Sequence, residues 1–303
     1  MNPHNAVMSE HHHDHHVQDE QRLRWALLLT GSFMVAELAG GLVSGSLALV
    51  ADAGHMLTDS ASLFLAWIAA RLAQRPPDDL RSYGWQRFQI VAALINAVAL
   101  LFLVGWIAYE AIERLFRPQP VLGGIMMGVA VLGLLVNLLV FRLLHAGSED
   151  NLNVRAALLH VLGDLLGSVA AIVASVVILL TGWTPIDPIL SLLVVLLILN
   201  STWRILKHSI HILMEGAPSG IDLDGLRRTL VGEVPGVRDV HHVHLWSLTP
   251  DRPLITLHLR LEEGQDGQQV LERAKRLLRE RFGLDHSTIQ VEWAPCIDDN
   301  DGT

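Results

Sequence analysis

The sequence predicts an α-helical membrane protein in which six transmembrane helices are followed by a cytosolic ferredoxin-like α+β domain. Hydrophobic residues make up 51% of the 303 residues and charged residues only 17%, whereas soluble domains carry about a quarter charged residues. Long apolar runs fill residues 23–206, and the composition becomes soluble after about residue 215. An ordinary soluble enzyme is therefore excluded, and no nucleophile–base or phosphate-binding motif indicates an enzyme of another kind.

Six apolar segments are long enough to cross a bilayer, because a hydrocarbon core of about 30 Å needs roughly 20 helical residues. The stretches between them are rich in Gly, Ser, Pro and charged residues, which is typical of turns and loops. The predicted spans are Leu23–Val43, Leu47–Ala73, Phe88–Ile112, Val121–Leu144, Leu152–Leu180 and Pro188–Leu206. We therefore expect the transmembrane domain to occupy residues 23–208.

The basic residues predict the orientation of these spans. With the N-terminus inside, ten Arg and Lys residues flank the inner ends and only Arg114 and Arg117 flank the outer ends. Because cytosolic loops carry an excess of basic residues, both termini are expected in the cytosol. The short loops are compatible with a bacterial inner membrane, and the net charge of −9 argues against a nucleic-acid partner.

Residues 209–297 predict the soluble domain. Val270, Ala274, Leu277 and Leu278 recur at the spacing of an amphipathic helix. The other predicted elements are a helix at Leu223–Val234 and strands at Val237–Leu248, Pro253–Leu261 and Ser287–Trp293. The order αββαβ favours a ferredoxin-like fold, with helices on one face of a sheet.

The two ends of the chain, residues 1–22 and 298–303, lack periodicity and are expected to be disordered. The N-terminal tail contains the run His11-His12-His13-Asp14-His15-His16. This run is either a cloning tag or a native metal-capturing segment, and the internal Asp14 favours the native origin. A disordered histidine run would concentrate cations without selecting strictly among them.

Two predicted spans carry the same His-x-x-x-Asp unit: His55 with Asp59, and His160 with Asp164. Residues four apart share one helix face, so each unit presents an imidazole beside a carboxylate. Two such faces together would supply two nitrogens and two oxygens, which suits a tetrahedral zinc site. Imidazole favours zinc and its transition-metal neighbours over magnesium or manganese, and cadmium or cobalt remain alternatives.

The alternative interpretation of these polar residues is hydrogen bonding between packed helices. Each Asp in the middle of a span costs roughly 3 kcal/mol, so Asp52, Asp59 and Asp164 together cost on the order of 9 kcal/mol without a partner. A divalent cation or protons must therefore balance them. Asp52 is a candidate auxiliary residue at the outer mouth of the pathway, whereas Glu37 is more simply explained by interhelical hydrogen bonding.

These residues resemble the cation diffusion facilitator family, specifically its zinc-transporting branch. The resemblance is carried by Ala51–Asp59, the paired His-x-x-x-Asp units, Val240–Trp246 and His286–Glu292. It implies a homodimeric antiporter that exports Zn²⁺ from the cytosol in exchange for protons. It also implies transport ligands at His55, Asp59, His160 and Asp164, and cytosolic ligands at His241, His258, His286 and Glu292.

The loop between the second and third spans departs from some relatives, which have acidic and histidine ligands there. Arg81 and Trp85 cannot ligate a metal as a carboxylate or an imidazole would, which argues against a metal site in this loop. In relatives, a basic residue near this loop pairs with an acid after the sixth span and locks the dimer. Arg87 and Glu215 occupy similar positions, and we expect them to form this ion pair.

The pattern of the cytosolic strands leaves two roles open for their histidines, as metal ligands or as ordinary surface and core residues. Strict alternation places His241 with Val243 on one face, and His242 on the other. His258 lies on the polar face of its strand, and His286 precedes the last strand as a loop residue. Cys296, the single cysteine, excludes a disulfide framework and a thiolate-only metal site.

The expected mechanism couples metal export to proton entry. Ligands must lose protons to bind Zn²⁺. Reprotonation of an imidazole, whose ordinary pKa is about 6.5, helps to release the ion outside. Two alternatives remain: an exporter whose main cargo is cadmium, cobalt, iron or manganese, and a non-transporting membrane zinc sensor. Metal binding in the cytosolic domain is expected to draw two subunits together and to bias transport.

Overall fold

The computed structural model describes Trp25, residues 28–145 and residues 152–296. The two predicted disordered ends, with the histidine run, lie outside these ranges. The side chains of Asp59 and His160 also lie outside the described ones, although both residues are placed within helices.

Six helices make up the apolar part of the described chain. They are α1 (Leu28–Ser44), α2 (Leu47–Ala73), α3 (Phe88–Phe116), α4 (Gly123–His145), α5 (Leu152–Thr181) and α6 (Ile186–Leu213). Helices α2 to α6 are long and apolar enough to cross a membrane, and α1 is a shorter apolar helix in its described part. The helices fall on the predicted spans, and α6 continues past the predicted end at Leu206.

The chain divides into two compact units, and the first comprises the described residues of Met1–Phe64 and Asn96–Arg204. One buried cluster joins α2 to α3 and α6, and includes Ala51, Ile107 and Val195. A second joins the start of α2 to α4 and α5. Many large apolar side chains point outward, such as Phe102 and Leu180, and helices that are hydrophobic all round suit a lipid environment.

The second unit comprises Leu65–Ile95 and the described residues of Ile205–Thr303. Its folded domain contains α7 (Leu223–Glu233), β1 (Val237–Thr249), β2 (Arg252–Leu261), α8 (Gly267–Phe282) and β3 (His286–Glu292). The predicted order αββαβ is therefore confirmed. The sheet order is β1-β2-β3, in which β1 and β2 are antiparallel and β2 and β3 are parallel.

The helices of this domain cover one face of the sheet. Leu226 and Leu230 of α7 and Leu278 of α8 are fully buried, and they belong to the same cluster as Leu257 and Leu259 of β2. The caps fit this packing: Asp222 and Asp266 begin the two helices, and Gly283 ends α8 in the left-handed conformation. The opposite face of the sheet is left for polar side chains.

The alternation expected along β1 is wrong at His241 and His242. The pairing with β2 shifts register between His241 and His244, and His242 has a positive φ of 48°. Such a bulge inserts one extra residue into the strand. Val240 and Val243 are consequently both buried in the core, and His241 and His242 both lie between them, on the polar side of the sheet.

Candidate metal centres

A cavity of about 530 Å³ in the first unit collects the predicted transport residues whose side chains are described. Asp52 and His55 of α2 line it, and Asp164 of α5, which is buried, lines it as well. The rest of the lining is mostly apolar and comes largely from α5 and α6. Two carboxylates and an imidazole thus line one mostly apolar cavity. Because an unpaired charge is costly in such surroundings, a bound dication would stabilise the carboxylates.

Two glycines of α5, Gly163 and Gly167, line this cavity. A side chain at Gly167 would begin 3.7 Å from Asp52 Oδ2, and a side chain at Gly163 would meet nothing within 4 Å. The carboxylate of Asp52 therefore lies within van der Waals range of a side chain at Gly167, and both positions have room for a methyl group. The buried carboxyl group of Glu37 on α1 is in hydrogen-bonding contact with Asp52, which agrees with its expected role between helices.

Asp59 and His160 remain predictions at the level of side chains. Asp59 lies in α2 four residues after His55, and His160 lies in α5 four residues before Asp164. Helical geometry therefore places each on the same helix face as its partner in the His-x-x-x-Asp unit.

A second group of potential ligands lies on the polar face of the cytosolic sheet. It consists of His241 on β1, His258 on β2, Glu292 at the end of β3 and Cys296 just beyond that strand. One donor atom from each lies within 4.8 Å of the other three. His241 and His258 are directly paired across the antiparallel strands, and the ring of His242 lies 5.0 Å from that of His258.

Glu292 is the centre of this group. Its Oε1 lies 3.0 Å from His258 Nδ1, and its Oε2 lies 3.1 Å from His241 Nε2. Cys296 Sγ lies 3.4 Å from His258 Nδ1. The other ring nitrogen of His241 lies 3.0 Å from Asp239 Oδ2, an arrangement that in metal sites fixes the ring and its tautomer.

The charge on Glu292 suits cation binding. Burial acts to raise the pKa of Glu292, but hydrogen bonds from Gln290 and Cys296 and the charges of His241 and His258 outweigh it, so its pKa is lowered. The carboxylate is thus ionised at neutral pH, as a metal ligand must be. Glu292 Oε2 and His241 Nε2 are buried and face each other at 3.1 Å, and neither has a well-aligned hydrogen bond within the described part of the chain, so a cation shared between them would satisfy both atoms.

Comparison with known proteins identifies the family. The family model described as cation efflux transmembrane domain matches residues 23–214. A second, described as cation efflux protein, cytoplasmic domain, matches residues 218–294. The chain belongs to the cation efflux, or cation diffusion facilitator, family. The resemblance noted in the sequence is therefore confirmed.

Individual members of the cation efflux family match over nearly the whole chain. The chain is 50% identical to the zinc transporter ZitB of Escherichia coli, over 94% of this chain and 93% of that protein. It is 41% identical to the metal cation efflux system protein CzcD of Cupriavidus metallidurans, over 94% and 90%. It is 39% identical to a cadmium, cobalt and zinc/H⁺–K⁺ antiporter of Bacillus subtilis, over 96% and 94%.

The family resemblance implies that His286 is a ligand in the cytosolic group, but the structure does not place His286 near that group. His286 is the first residue of β3 rather than a loop residue, and it pairs with Leu254. Glu292 follows six residues later, about 20 Å along the strand. The exposed ring of His286 instead meets Tyr83 edge-on, with centroids 6.4 Å apart.

The fourth member of the group beside His258 is Cys296, whereas the family resemblance implied His286. A lone cysteine four residues after Glu292 carries no spacing signature of a metal site. The only sequence feature that could have indicated Cys296 is its position shortly after a predicted strand that contains the candidate ligand Glu292.

The loop between α2 and α3 is closed by its own contacts. Arg81 Nη1 lies 2.9 Å from Asp78 Oδ2, and the Arg81 guanidinium lies 3.9 Å from the centre of the Trp85 ring. Arg87 and Glu215 form the expected ion pair at 3.4 Å, but within one chain. Because their side chains are 34% and 66% exposed, the pair is worth less than about 1 kcal/mol.

Proposed function

We propose that this chain is a divalent-cation efflux transporter whose main cargo is Zn²⁺, exported from the cytosol in exchange for protons. The observation that carries the proposal is the meeting of Asp52, His55 and Asp164 in one largely apolar cavity between α2, α5 and α6. Asp59 and His160 are assigned to the same site because they share helix faces with His55 and Asp164. The transport ligands are thus His55, Asp59, His160 and Asp164, with Asp52 as an auxiliary residue.

The donor set supports zinc as the cargo. Two imidazoles with two carboxylates match the four-coordinate sites of Zn²⁺, whereas sites built from oxygen alone suit magnesium or manganese. The name of the ZitB relatives agrees with zinc. Cadmium and cobalt are the competing cargoes, since the Bacillus subtilis relative is named for both ions together with zinc.

Proton coupling follows from the same ligands. A cation that enters from the cytosol displaces protons from the imidazoles and carboxylates that bind it. When the bundle opens to the other side, protonation of an imidazole weakens the site and releases the ion. The protonated site then returns, so one cycle moves a metal ion outward and protons inward. The Bacillus subtilis relative is named a cadmium, cobalt and zinc/H⁺–K⁺ antiporter, which agrees with coupling to protons.

The cytosolic group is assigned to regulation. His241, His258, Glu292 and Cys296 fit a resident Zn²⁺, because one donor atom from each lies within 4.8 Å of the other three. When bound, the ion would crosslink the three strands of this sheet. We assign the protein to a homodimer in the bacterial inner membrane, with both termini in the cytosol and the cytosolic domains of two subunits in contact.

Zinc uptake into inside-out vesicles tests the transport function. Asp164→Asn removes a buried carboxylate charge at nearly constant volume, so we expect flux to be lost. Val169→Ala on the same helix is the matched control and should transport normally, because Val169 is outside the cavity and largely exposed. Normal flux from Asp164→Asn would remove Asp164 from the ligand set.

Two further arms separate the alternatives. Imposing a pH gradient should change the initial rate of zinc uptake, and flux that ignores the gradient would overturn proton antiport. Competition by Cd²⁺, Co²⁺, Fe²⁺ and Mn²⁺ in the same vesicles identifies the main cargo. A non-transporting sensor predicts dispensable residues in the α2–α5 cavity and an essential cytosolic group, which is the opposite pattern.

A further inference from the structure

The first turn of α2 is capped by a carboxylate that belongs to α6. Asp187, the second residue of α6, is fully buried. Its Oδ2 accepts a hydrogen bond from Leu47 N at 2.7 Å, and its Oδ1 accepts one from Ala48 N at 3.3 Å. The hydroxyl of Ser46 also donates to Oδ1, at 2.5 Å. One side chain thus satisfies three donors from a segment about 140 residues away in sequence.

These contacts complete the hydrogen bonding at the start of α2. The first four N–H groups of a helix have no hydrogen-bond acceptor within the helix, because no turn precedes them. The other two of these groups are held locally, since Ser46 N donates to Ser44 Oγ at 3.3 Å and Leu49 N donates to Ser46 Oγ at 3.3 Å. Half of the cap therefore comes from another helix, whereas a helix usually relies on its own N-cap residue.

The turn before α2 is also held by other segments. Arg114 of α3 donates to Gly45 O at 2.6 Å, and Leu122 N donates to Ser44 O at 2.8 Å. Gly45 has a φ of +72°, and a side chain there would begin 3.0 Å from the carbonyl oxygen of Pro120. This end of α2 is therefore a junction, and Asp187 ties α6 into it.

The junction lies close to the proposed cation site along α2. Asp52 is five residues after Leu47, which is about 7.5 Å along the helix, and His55 is about 12 Å along it. Helix α6 also lines the cavity, through residues that include Leu193 and Leu197. A shift of α2 against α6 would therefore move two donors relative to Asp164 on α5.

We propose that Asp187 is a positioning residue of the cation site, which locks α6 to the start of α2 so that Asp52 and His55 keep their distance from Asp164. The inference rests on the transport function proposed above. It assigns to Asp187 a link between two helices, beyond the capping of one helix. These two roles can be separated because the N-cap residue that bonds Asp187 is Ser46, which can be replaced by Asp to cap α2 without Asp187.

Three variants separate the link from the cap. Asp187→Ala removes the link to α6 together with the hydrogen bonds to Leu47 N and Ala48 N, and leaves only the cap that Ser46 makes on Leu49. Ser46→Asp with Asp187→Ala restores a good N-cap within α2 but leaves no link to α6. Ser46→Asp with Asp187→Ser exchanges the two side chains, so the cap returns and the hydroxyl on α6 can donate to the carboxylate on α2. The exchange keeps the summed length of the pair unchanged.

Initial rates of zinc uptake into inside-out vesicles, measured against zinc concentration, give KM and Vmax for each variant. We expect KM to rise about 10-fold or more in both variants without the link, with a smaller change in Vmax. The exchanged pair should recover toward the KM of the parent. The amount of protein and its size-exclusion profile in detergent are compared throughout, and the variant with the restored cap carries the test if Asp187→Ala fails to fold.

The inference is overturned if the variant with a cap but no link has the KM of the parent, because Asp187 would then only cap α2. It is also overturned if the exchanged pair stays as impaired as that variant, or if Vmax falls at an unchanged KM. Asp164→Asn distinguishes failure of the proposed function: if it transports zinc normally, the cation site itself is wrong. If it is inactive while Asp187→Ala matches the parent, only the positioning role is wrong.

Discussion

Replacement of Cys296 with Ser should weaken Zn²⁺ binding at the cytosolic site about 100-fold. Four-ligand structural zinc sites bind with about 10–16 kcal/mol, so one ligand carries about 3 kcal/mol, which corresponds to about 100-fold in Kd. We assign Cys296 one quarter of the binding free energy because its Sγ lies within 4.8 Å of the other three donor atoms. Serine has nearly the same shape, so the measured loss reports the thiolate rather than a cavity.

The assay is a titration of the purified full chain in detergent against a competing zinc chelator. The Asp164→Asn background weakens the transmembrane site, so the remaining tight binding reports the cytosolic group. His286→Ala is the matched control, since it removes a histidine from the same sheet at about 20 Å from Glu292 along β3. We expect its zinc affinity to equal that of the parent.

Two results would refute this reasoning. If Cys296→Ser binds zinc as tightly as the parent, the thiol is not a ligand. If His286→Ala weakens binding as much as Cys296→Ser does, the group assembled within one chain is not the site. A third measurement adds selectivity: the loss on Cys296→Ser should be larger for Cd²⁺ than for Zn²⁺, because thiolates prefer softer ions.

Two more predictions concern the second unit. Arg87→Glu should lower the zinc flux in vesicles, and adding Glu215→Arg in the same chain should restore it. The free energy of unfolding should change by less than about 1 kcal/mol, because the pair is exposed. A double variant that stays as slow as Arg87→Glu would contradict the ion pair. Leu230→Ala should destabilise the cytosolic domain by about 2–5 kcal/mol, since Leu230 is fully buried. Its neighbour Val231, 42% exposed, should change stability by less than about 0.5 kcal/mol on replacement by Ala, and denaturant titration followed by tryptophan fluorescence compares the two.

The sequence by itself determined the features that depend on local patterns. The apolar segments predicted the helices α1 to α6, because the length of an apolar run and the turns beside it are local properties. The order αββαβ followed from the periodicity of hydrophobic residues. The His-x-x-x-Asp units were visible for the same reason, since residues four apart in a helix are neighbours whatever else the chain does.

Only the tertiary structure decided which distant residues meet. The bulge at His242 requires a positive φ at a residue other than glycine, which no alternating pattern signals, and it alone turns His241 and His242 to one side of the sheet. Cys296 reaches His258 because β3 lies parallel to β2, and Asp187 caps α2 across about 140 residues. Hydrogen bonds and ligand groups of this kind arise from the packing of separate elements, and a residue's immediate neighbours in the chain carry no record of that packing.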